Sequence, residues 1–428
     1  MRARHVLLAS WMWIGVVACD DGAPSTDEPE VVVEPEALPS VSPEGEPDGE
    51  PEGEPDASDG GVVLDDAGVT PEDDAGLPAE CDLAQPMPEG DRVVVVSHPF
   101  SNEIRTAELK STGDLVDIGD RTTTAESVRQ LAFTPNGQVL LSLGEDGTLT
   151  SYIVNDTDLV QADTLSLPTG PGYDVRIEVM PQGDRVFIVA FNSQADGGIH
   201  EVSVDCDGLL VHHADRFVAL RLVQSVTLTP DATQLIVAGG QAVFDPIDDD
   251  DLRIYDVTDD GLVENAAFDI YTDFVTTPRI AMRDDGLIAV PNGSPFSEEG
   301  AQLRLVQKTD DVLAQVDLVE NITTIREAVF APGGDILLVS RDEDNAVSWL
   351  KEDANGWALD GTAEGIGLAD QMTLLRRGPL SGHVFLAATN SRGNIAHIVV
   401  EDDTVTSRVP LDLGEGSQNI PWAIAVQP

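Results

Sequence analysis

One short phrase recurs through this chain and limits what it can fold into. Residues 87–93 read Met-Pro-Glu-Gly-Asp-Arg-Val, and residues 180–186 read Met-Pro-Gln-Gly-Asp-Arg-Val. Looser copies continue the series at Pro135-Asn136-Gly137 and Pro332-Gly333-Gly334. Pro230-Asp231-Ala232, Asp284-Asp285-Gly286 and Arg376-Arg377-Gly378 are degenerate members. Proline presets φ at the first turn position, and glycine supplies the position that needs φ > 0. Each copy is followed by a short apolar run, such as VLLSL (139–143), VFIVA (186–190) or ILLVS (336–340). Each complete copy is preceded by an alternating run, such as Ser225-Val226-Thr227-Leu228-Thr229. These are strand patterns, and no stretch shows a 3.6-residue apolar period. From Pro88 the turns fall at 135, 181, 230, 284, 332 and 376, and the chain ends at Pro428, giving intervals of 44 to 54 residues. A period of that length with four strands per unit predicts an all-β, seven-bladed β-propeller over 88–428.

One unit is split. The first copy begins at its turn, with no strand before it. The last ends at its turn, with nothing after it. The terminal run Pro421-Trp422-Ala423-Ile424-Ala425-Val426 is of the missing type. The C-terminal strand is therefore expected to complete the first blade and close the ring, which removes open sheet edges.

The region before the repeats reads as address and spacer. Arg2, Arg4 and His5 open the chain, and Val6 to Ala18 is a 13-residue apolar stretch. That is too short to span a bilayer and has the form of a signal peptide over 1–18. It ends Val16-Val17-Ala18-Cys19, which resembles the lipobox of bacterial lipoproteins. That resemblance implies a lipidated Cys19 as the mature N-terminus, anchored to a membrane of the cell envelope, on the periplasmic or outer side. An ordinary signal peptide with an incidental cysteine is the competing reading. Residues 20–88 then carry 22 acidic residues and no Lys or Arg, with PEGEPDGEPEGEPD at 43–56. Such a stretch has too little apolar surface to offset ordering entropy. An acidic, disordered tether is expected over 19–87.

Charge excludes some partners. The chain holds 78 Asp+Glu against 23 Lys+Arg, a net charge of −55. Phosphate backbones and anionic lipid surfaces would be repelled. The expected partners are the membrane through the lipid anchor, and an unidentified protein or small anionic ligand; the chain is expected to be monomeric. Of three cysteines, Cys81 and Cys206 remain after Cys19. In an oxidising compartment they could pair or stay free.

The repeat also resembles the YVTN-type and lactonase-like propellers, most closely over Met87 to Ala107, Phe330 to Leu350 and Leu386 to Val400. The resemblance covers nearly all of 88–428. It implies the fold far more than an activity, since that group includes lactonases, cycloisomerases and envelope proteins without known chemistry. The His, Arg and Glu motifs of the lactonase members are not recognisable here.

In a propeller, the loops before the innermost strands and after the second strands share one face, around the mouth of the central channel. Residues at those positions include Arg129, Gln130, Arg176, Gln224, Arg279, Arg326, Glu327, Asp370, Gln371 and Trp422, with His98, Asn192, Asn292, Arg341, Asn390 and Arg392 after the second strands. Four arginines thus enter the ring at nearly equivalent positions. Their planar forks suit carboxylate or phosphate, which predicts an anion-binding mouth. Internal pairing with Asp174, Glu178, Glu327 and Asp370 is the plainer alternative. No catalytic set is assigned: His200 and Glu201 are adjacent and point to opposite strand faces, and His212-His213 lacks ligand spacing. No organic cofactor is implied. The acidic loop Asp245, Asp248, Asp249, Asp250, Asp251 is the one metal feature, suited to Ca²⁺ but lacking an EF-hand register. Three functions follow as expectations: a binding or interaction module, a lactonase-like hydrolase on a carboxylated or sugar lactone at the mouth, and a Ca²⁺-dependent surface protein.

Overall fold

The computed structural model describes residues 81–428 apart from 169–171, 193–195, 222, 240–250, 272–278, 293–301, 321, 323–324, 342–344, 367, 390–393 and 415–420. Residues 1–80, including Cys19 and most of the expected tether, lie outside the described residues. The described strands form seven antiparallel sheets, so the fold is an all-β, seven-bladed propeller. Blade 1 contains Arg92–His98, Glu103–Leu109 and Leu115–Thr123, and its innermost strand is Ile424–Val426. Val94 pairs with Val426, and Val96 with Ile424. The C-terminal strand does close the ring. Blades 2 to 6 take their strands in sequence order. Their innermost strands are Val128–Phe133, Gly172–Val179, Val223–Leu228, Ala281–Met282 and Ile325–Phe330, and that of blade 7 is Leu368–Leu374. In blades 3 and 7 the outermost strand is broken into two short pieces.

Alternation in the strands builds the core. Each inner strand sends alternate apolar side chains into the seam with a neighbouring blade. Seven buried clusters result, one per seam. Ile177 and Ile188 meet Leu141 between blades 2 and 3, and Ile280 meets Ile236 between blades 4 and 5. Among the described residues no single central core exists, so each blade is held mainly by its two neighbours.

The turn phrase behaves as its chemistry requires where it joins two strands. Gly137, Gly183 and Gly286 lie at φ +67°, +81° and +91°. Ala232 takes the same left-handed conformation, at φ +55°. Gly90 is absent from that set among the described residues, because the first copy has no preceding strand to turn from.

Packing begins before Pro88. Leu83 is buried among blades 2 and 3, and its carbonyl accepts the Asn136 N–H at 3.1 Å. Asn136 also donates through Nδ2 to the Asp82 carbonyl at 3.2 Å. A disulfide joins Cys81 to Cys206, in the hairpin of blade 3, with Cα atoms 6.0 Å apart. Residues 81–87, placed in the tether by sequence, thus form a strap across the turn face of blades 3, 2 and 1. The repeat glycines make room for it: a Cβ on Gly183 would come within 2.6 Å of the Leu83 Cβ, and one on Gly137 would collide with the Met87 sulfur.

Candidate functional site

The channel is built by the inner strands, and a backbone irregularity sets which side chains enter it. A β-bulge interrupts the innermost strand between Val128 and Gln130, Gly172 and Val175, Val223 and Ser225, Ile325 and Glu327, and Ala369 and Met372. The extra residue changes the facing of everything before it, since the side-chain period is two. Counting back from the turn, the fifth residue is Ala423, Gln130, Arg176, Ser225, Arg279, Glu327 or Gln371 around the ring. The sixth is Trp422, Arg129, Val175, Gln224, Pro278, Arg326 or Asp370. The four arginines are therefore not equivalent. Arg176 and Arg279 belong to the inner layer, whereas Arg129 and Arg326 stand one residue nearer the mouth.

The inner layer laces blades together. Ser225 Oγ accepts the Ile280 N–H at 2.9 Å, Glu327 Oε2 accepts the Met372 N–H at 2.8 Å, and Gln371 Oε1 accepts the Ile424 N–H at 3.1 Å. Each bond runs from one blade to the next. Others cross the ring. Arg279 of blade 5 donates to Glu327 of blade 6 at 2.5 Å and to Gln130 Oε1 of blade 2 at 3.2 Å. Gln371 Nε2 donates to the Leu131 carbonyl at 3.3 Å. A guanidinium that reaches both blade 6 and blade 2 must lie across the channel.

Burial pushes the Glu327 carboxyl up, while the charges of Arg279 and Arg176 pull it down. One layer deeper, Glu178 accepts the Leu228 N–H at 3.1 Å. Burial pushes its carboxyl up to about 7, opposed by that N–H and by Arg279 and Arg376. Arg176, Glu327, Arg279, Glu178 and Arg376 thus form an alternating chain of charge inside the ring. Perturbed carboxyls of this kind occur at functional sites, and they occur equally in structural ion networks. Here both carboxylates already bridge two blades.

The outer layer differs. Arg129 stacks on Trp422, with its Cζ 4.4 Å from the ring centroid. Its Nε and Nη2 donate to Glu145 Oε2 at 3.1 and 2.6 Å. Glu145 is 35% exposed, whereas Glu327 is 3% exposed by side chain. The two arginines are buried to nearly the same degree, so the contrast lies in the carboxylates. A pair whose carboxylate is open to water approaches the about 0–1 kcal/mol of a surface pair, and one with a buried carboxylate costs several kcal/mol to break. Phe100 is 59% exposed on the blade 1 loop of the same face. Arg326 sits at its bulge, half-buried.

Other expected positions fall outside this cluster. Asn390, Arg392, Asp245, Asp248, Asp249 and Asp250 lie outside the described residues. Asp251 is described, and its Oδ2 accepts the backbone N–H groups of Ile270 and Tyr271. Among the described residues no group of three His, Cys, Asp or Glu is arranged to hold a metal ion. His200 bonds His212 in blade 3, and His383 bonds His397 in blade 7, at 3.2 and 3.1 Å, each between neighbouring strands of one sheet. Sequence reasoning missed these pairs, because their members are 12 and 14 residues apart on neighbouring strands.

No protein-family model and no curated protein sequence matches the chain. Solved structures do share its fold. The periplasmic gluconolactonase PpgL of Pseudomonas aeruginosa aligns with a TM-score of 0.60 at 16% identity, covering 79% of this chain and 99% of that one. Two proteins named as candidate 6-phosphogluconolactonases also align. That of Bacteroides uniformis has a TM-score of 0.63 at 12% identity, covering 79% and 100% of the two chains. That of Bacteroides fragilis has a TM-score of 0.60 at 14% identity, covering 79% and 98%. At such identities the likeness establishes the seven-bladed fold alone. Among the described residues no helix is long and apolar enough to cross a membrane.

Proposed function

We propose that this chain is a lipid-anchored protein of the cell envelope whose propeller binds a small anionic ligand, or an acidic group of a partner protein, at the channel mouth. Cys19 carries the lipid, the acidic segment before the strap serves as the spacer, and the propeller works as a monomer. The observation that supports this reading best is the contrast between the two layers. Arg279 is held by a buried carboxylate and serves the ring. Arg129 is held against Trp422 by one partly exposed carboxylate among the described residues, so an incoming carboxylate can replace Glu145 at little cost. The indole offers an apolar face beside the guanidinium, a combination that suits a carboxylated sugar.

Calorimetric titration with D-gluconate, D-glucuronate and citrate tests it. At least one should bind, and Arg129→Ala should abolish that binding with little change in melting temperature. Binding that survives Arg129→Ala, or no binding across the panel, overturns the reading. Cys19→Ala should move the protein from the membrane fraction to the soluble fraction; unchanged fractionation contradicts the anchor.

A second reading, lactone hydrolysis, draws on the raised carboxyl of Glu327 beside Arg176 and on the names of the structural neighbours. In that reaction Glu327 would take a proton from water as the water oxygen bonds the lactone carbonyl carbon and would return it to the ring oxygen as the acyl C–O bond breaks; the hydroxy acid so formed then releases its carboxyl proton to solvent. It ranks second because both Glu327 oxygens already hold neighbouring blades. Proton release from δ-gluconolactone in a pH-stat, abolished by Glu327→Gln, would reverse the order; no turnover above buffer leaves binding in first place.

A further inference from the structure

The turn phrase ends each innermost strand at the face opposite the mouth, and two of its copies break the pattern. In every blade the last ladder residue of the inner strand donates its N–H to a carbonyl across the turn, from Thr134 in blade 2 to Leu375 in blade 7 and Gln427 in blade 1. The residue after it therefore stands at the same place on the channel rim in all seven blades. It is proline in five of them, Asp284 in blade 5 and Arg376 in blade 7. Both charged residues are exposed, and neither side chain has a hydrogen-bond or ion-pair partner among the described residues. Arg283 offers Asp284 no counter-charge, because it is committed to Asp285 and Glu352 at 2.8 and 2.5 Å. An arginine without a carboxylate is out of keeping with a chain that holds 78 Asp+Glu against 23 Lys+Arg. Between the two charges stands blade 6, whose turn is Pro332-Gly333-Gly334. Its glycines present no side chain, and a Cβ on Gly333 would meet nothing within 4 Å. The rim is thus open between a carboxylate and a guanidinium. Burial against the channel wall pushes the Arg376 guanidinium down, opposed by the charges of Asp284 and Glu178.

We propose that the turn-face end of the channel binds a small zwitterion, an amino acid or a short peptide, with its carboxylate on Arg376 and its ammonium on Asp284, across the glycines of blade 6. A guanidinium receives a carboxylate through two parallel N–H bonds, and a carboxylate accepts from an ammonium. A simple anion gains from Arg376 but is opposed by Asp284 and by the buried Glu178 behind it. A simple cation gains from Asp284 but is opposed by Arg376. A ligand carrying both charges is opposed by neither. The two rim charges stand on blades separated by a third and do not meet in an ion pair, so the ligand bridges them. This site lies at the opposite end of the channel from Arg129 and Trp422, and it does not rest on the ligand-binding reading of that mouth.

Calorimetric titration of the full chain tests it with zwitterions that differ in charge separation: glycine, γ-aminobutyrate, diglycine and triglycine. At least one should bind saturably at one site per chain, with Kd on the order of 10⁻³ M, as suits two charge contacts reached by solvent. N-acetylation and carboxyl amidation of the best ligand each remove one charge, and each should weaken binding at least about fivefold. Arg376→Gln and Asp284→Asn break no bond in the fold, so both should keep the wild-type melting temperature and weaken that ligand by a similar factor. Arg121→Gln removes the same charge from an exposed site on the outer strand of blade 1 and should leave the Kd unchanged. No saturable binding by any of the four at about ten times that Kd overturns the proposal. So does binding indifferent to acetylation or amidation, binding that survives either rim substitution, or an equal loss in Arg121→Gln.

Discussion

Arg279 and Glu327 show what a single residue contributes to this ring. Their pair is 16% and 3% exposed by side chain, and it joins blade 5 to blade 6 while the same guanidinium reaches Gln130 of blade 2. Arg279→Ala leaves Glu327 buried without its main counter-charge and should cost about 3–5 kcal/mol. Arg129→Ala should cost no more than about 1 kcal/mol. Urea unfolding of the two variants checks the contrast, and equal losses would contradict the two-layer account. Buried histidines work against the fold in acid. Burial lowers His397 to about 3 and His200 to about 4, so both are neutral in the fold. The unfolded chain binds those protons below about 6.5, so their share of stability is complete above that pH and is lost as pH falls toward 3–4. The slope is at most about 1.4 kcal/mol per pH unit for each histidine. Glu178 acts in the opposite sense. Its carboxyl is raised to about 7, so its cost is full above that pH and fades as pH falls toward 4.5. The histidine share is isolated by comparison with His397→Gln, which removes one of the titrating rings. Between pH 6.5 and 4.5 the wild-type urea midpoint should fall relative to that of the variant, and parallel profiles would contradict this.

At the scale of elements, the sequence made the strands legible because their signal is local: a proline-to-glycine turn and a two-residue alternation. The bulges were not legible. One extra residue in a six-residue strand leaves the composition unchanged, yet it divides Arg129 and Arg326 from Arg176 and Arg279. The partners of the inner layer were also hidden, since Gln130 and Arg279 are 149 residues apart. The strap was missed for a different reason. Residues 81–87 carry neither the turn phrase nor a strand alternation and directly continue the acidic segment, and one side chain, Leu83, supplies their buried anchor. The Cys81–Cys206 disulfide holds that strap across a sequence separation of 125 residues. In the chain-entropy picture, a loop of that size contributes about 4–5 kcal/mol, an upper figure because strain and residual structure reduce it. Cys206→Ser should lower the stability of the full chain by up to that amount without removing the propeller's sheet signal in circular dichroism. An unchanged urea midpoint would show that the strap is held without the bond.

The molecule as a whole is a ring without a common core among the described residues. Seven apolar clusters occupy the seven seams, so each blade depends on both neighbours and a gap anywhere exposes two faces. The chain is cut within blade 1, and three residues, Ile424–Val426, make the strand that closes it. Ile424 and Val426 also fill the seam between blades 7 and 1, and Ala423 and Ala425 fill that between blades 1 and 2. Gln427 adds a bond on each side: its Oε1 accepts the Val93 N–H and its Nε2 donates to the Gly137 carbonyl, both at 2.8 Å. Losing these few residues removes contacts from two seams and uncovers an edge of blade 1. The decisive measurement is differential scanning calorimetry of the chain with residues 420–428 deleted. Closure by the C-terminal strand predicts that the single cooperative transition is lost or falls by well over about 10 °C, since several kcal/mol of seam contacts go with it. A truncated protein that melts at the full-length temperature would contradict it.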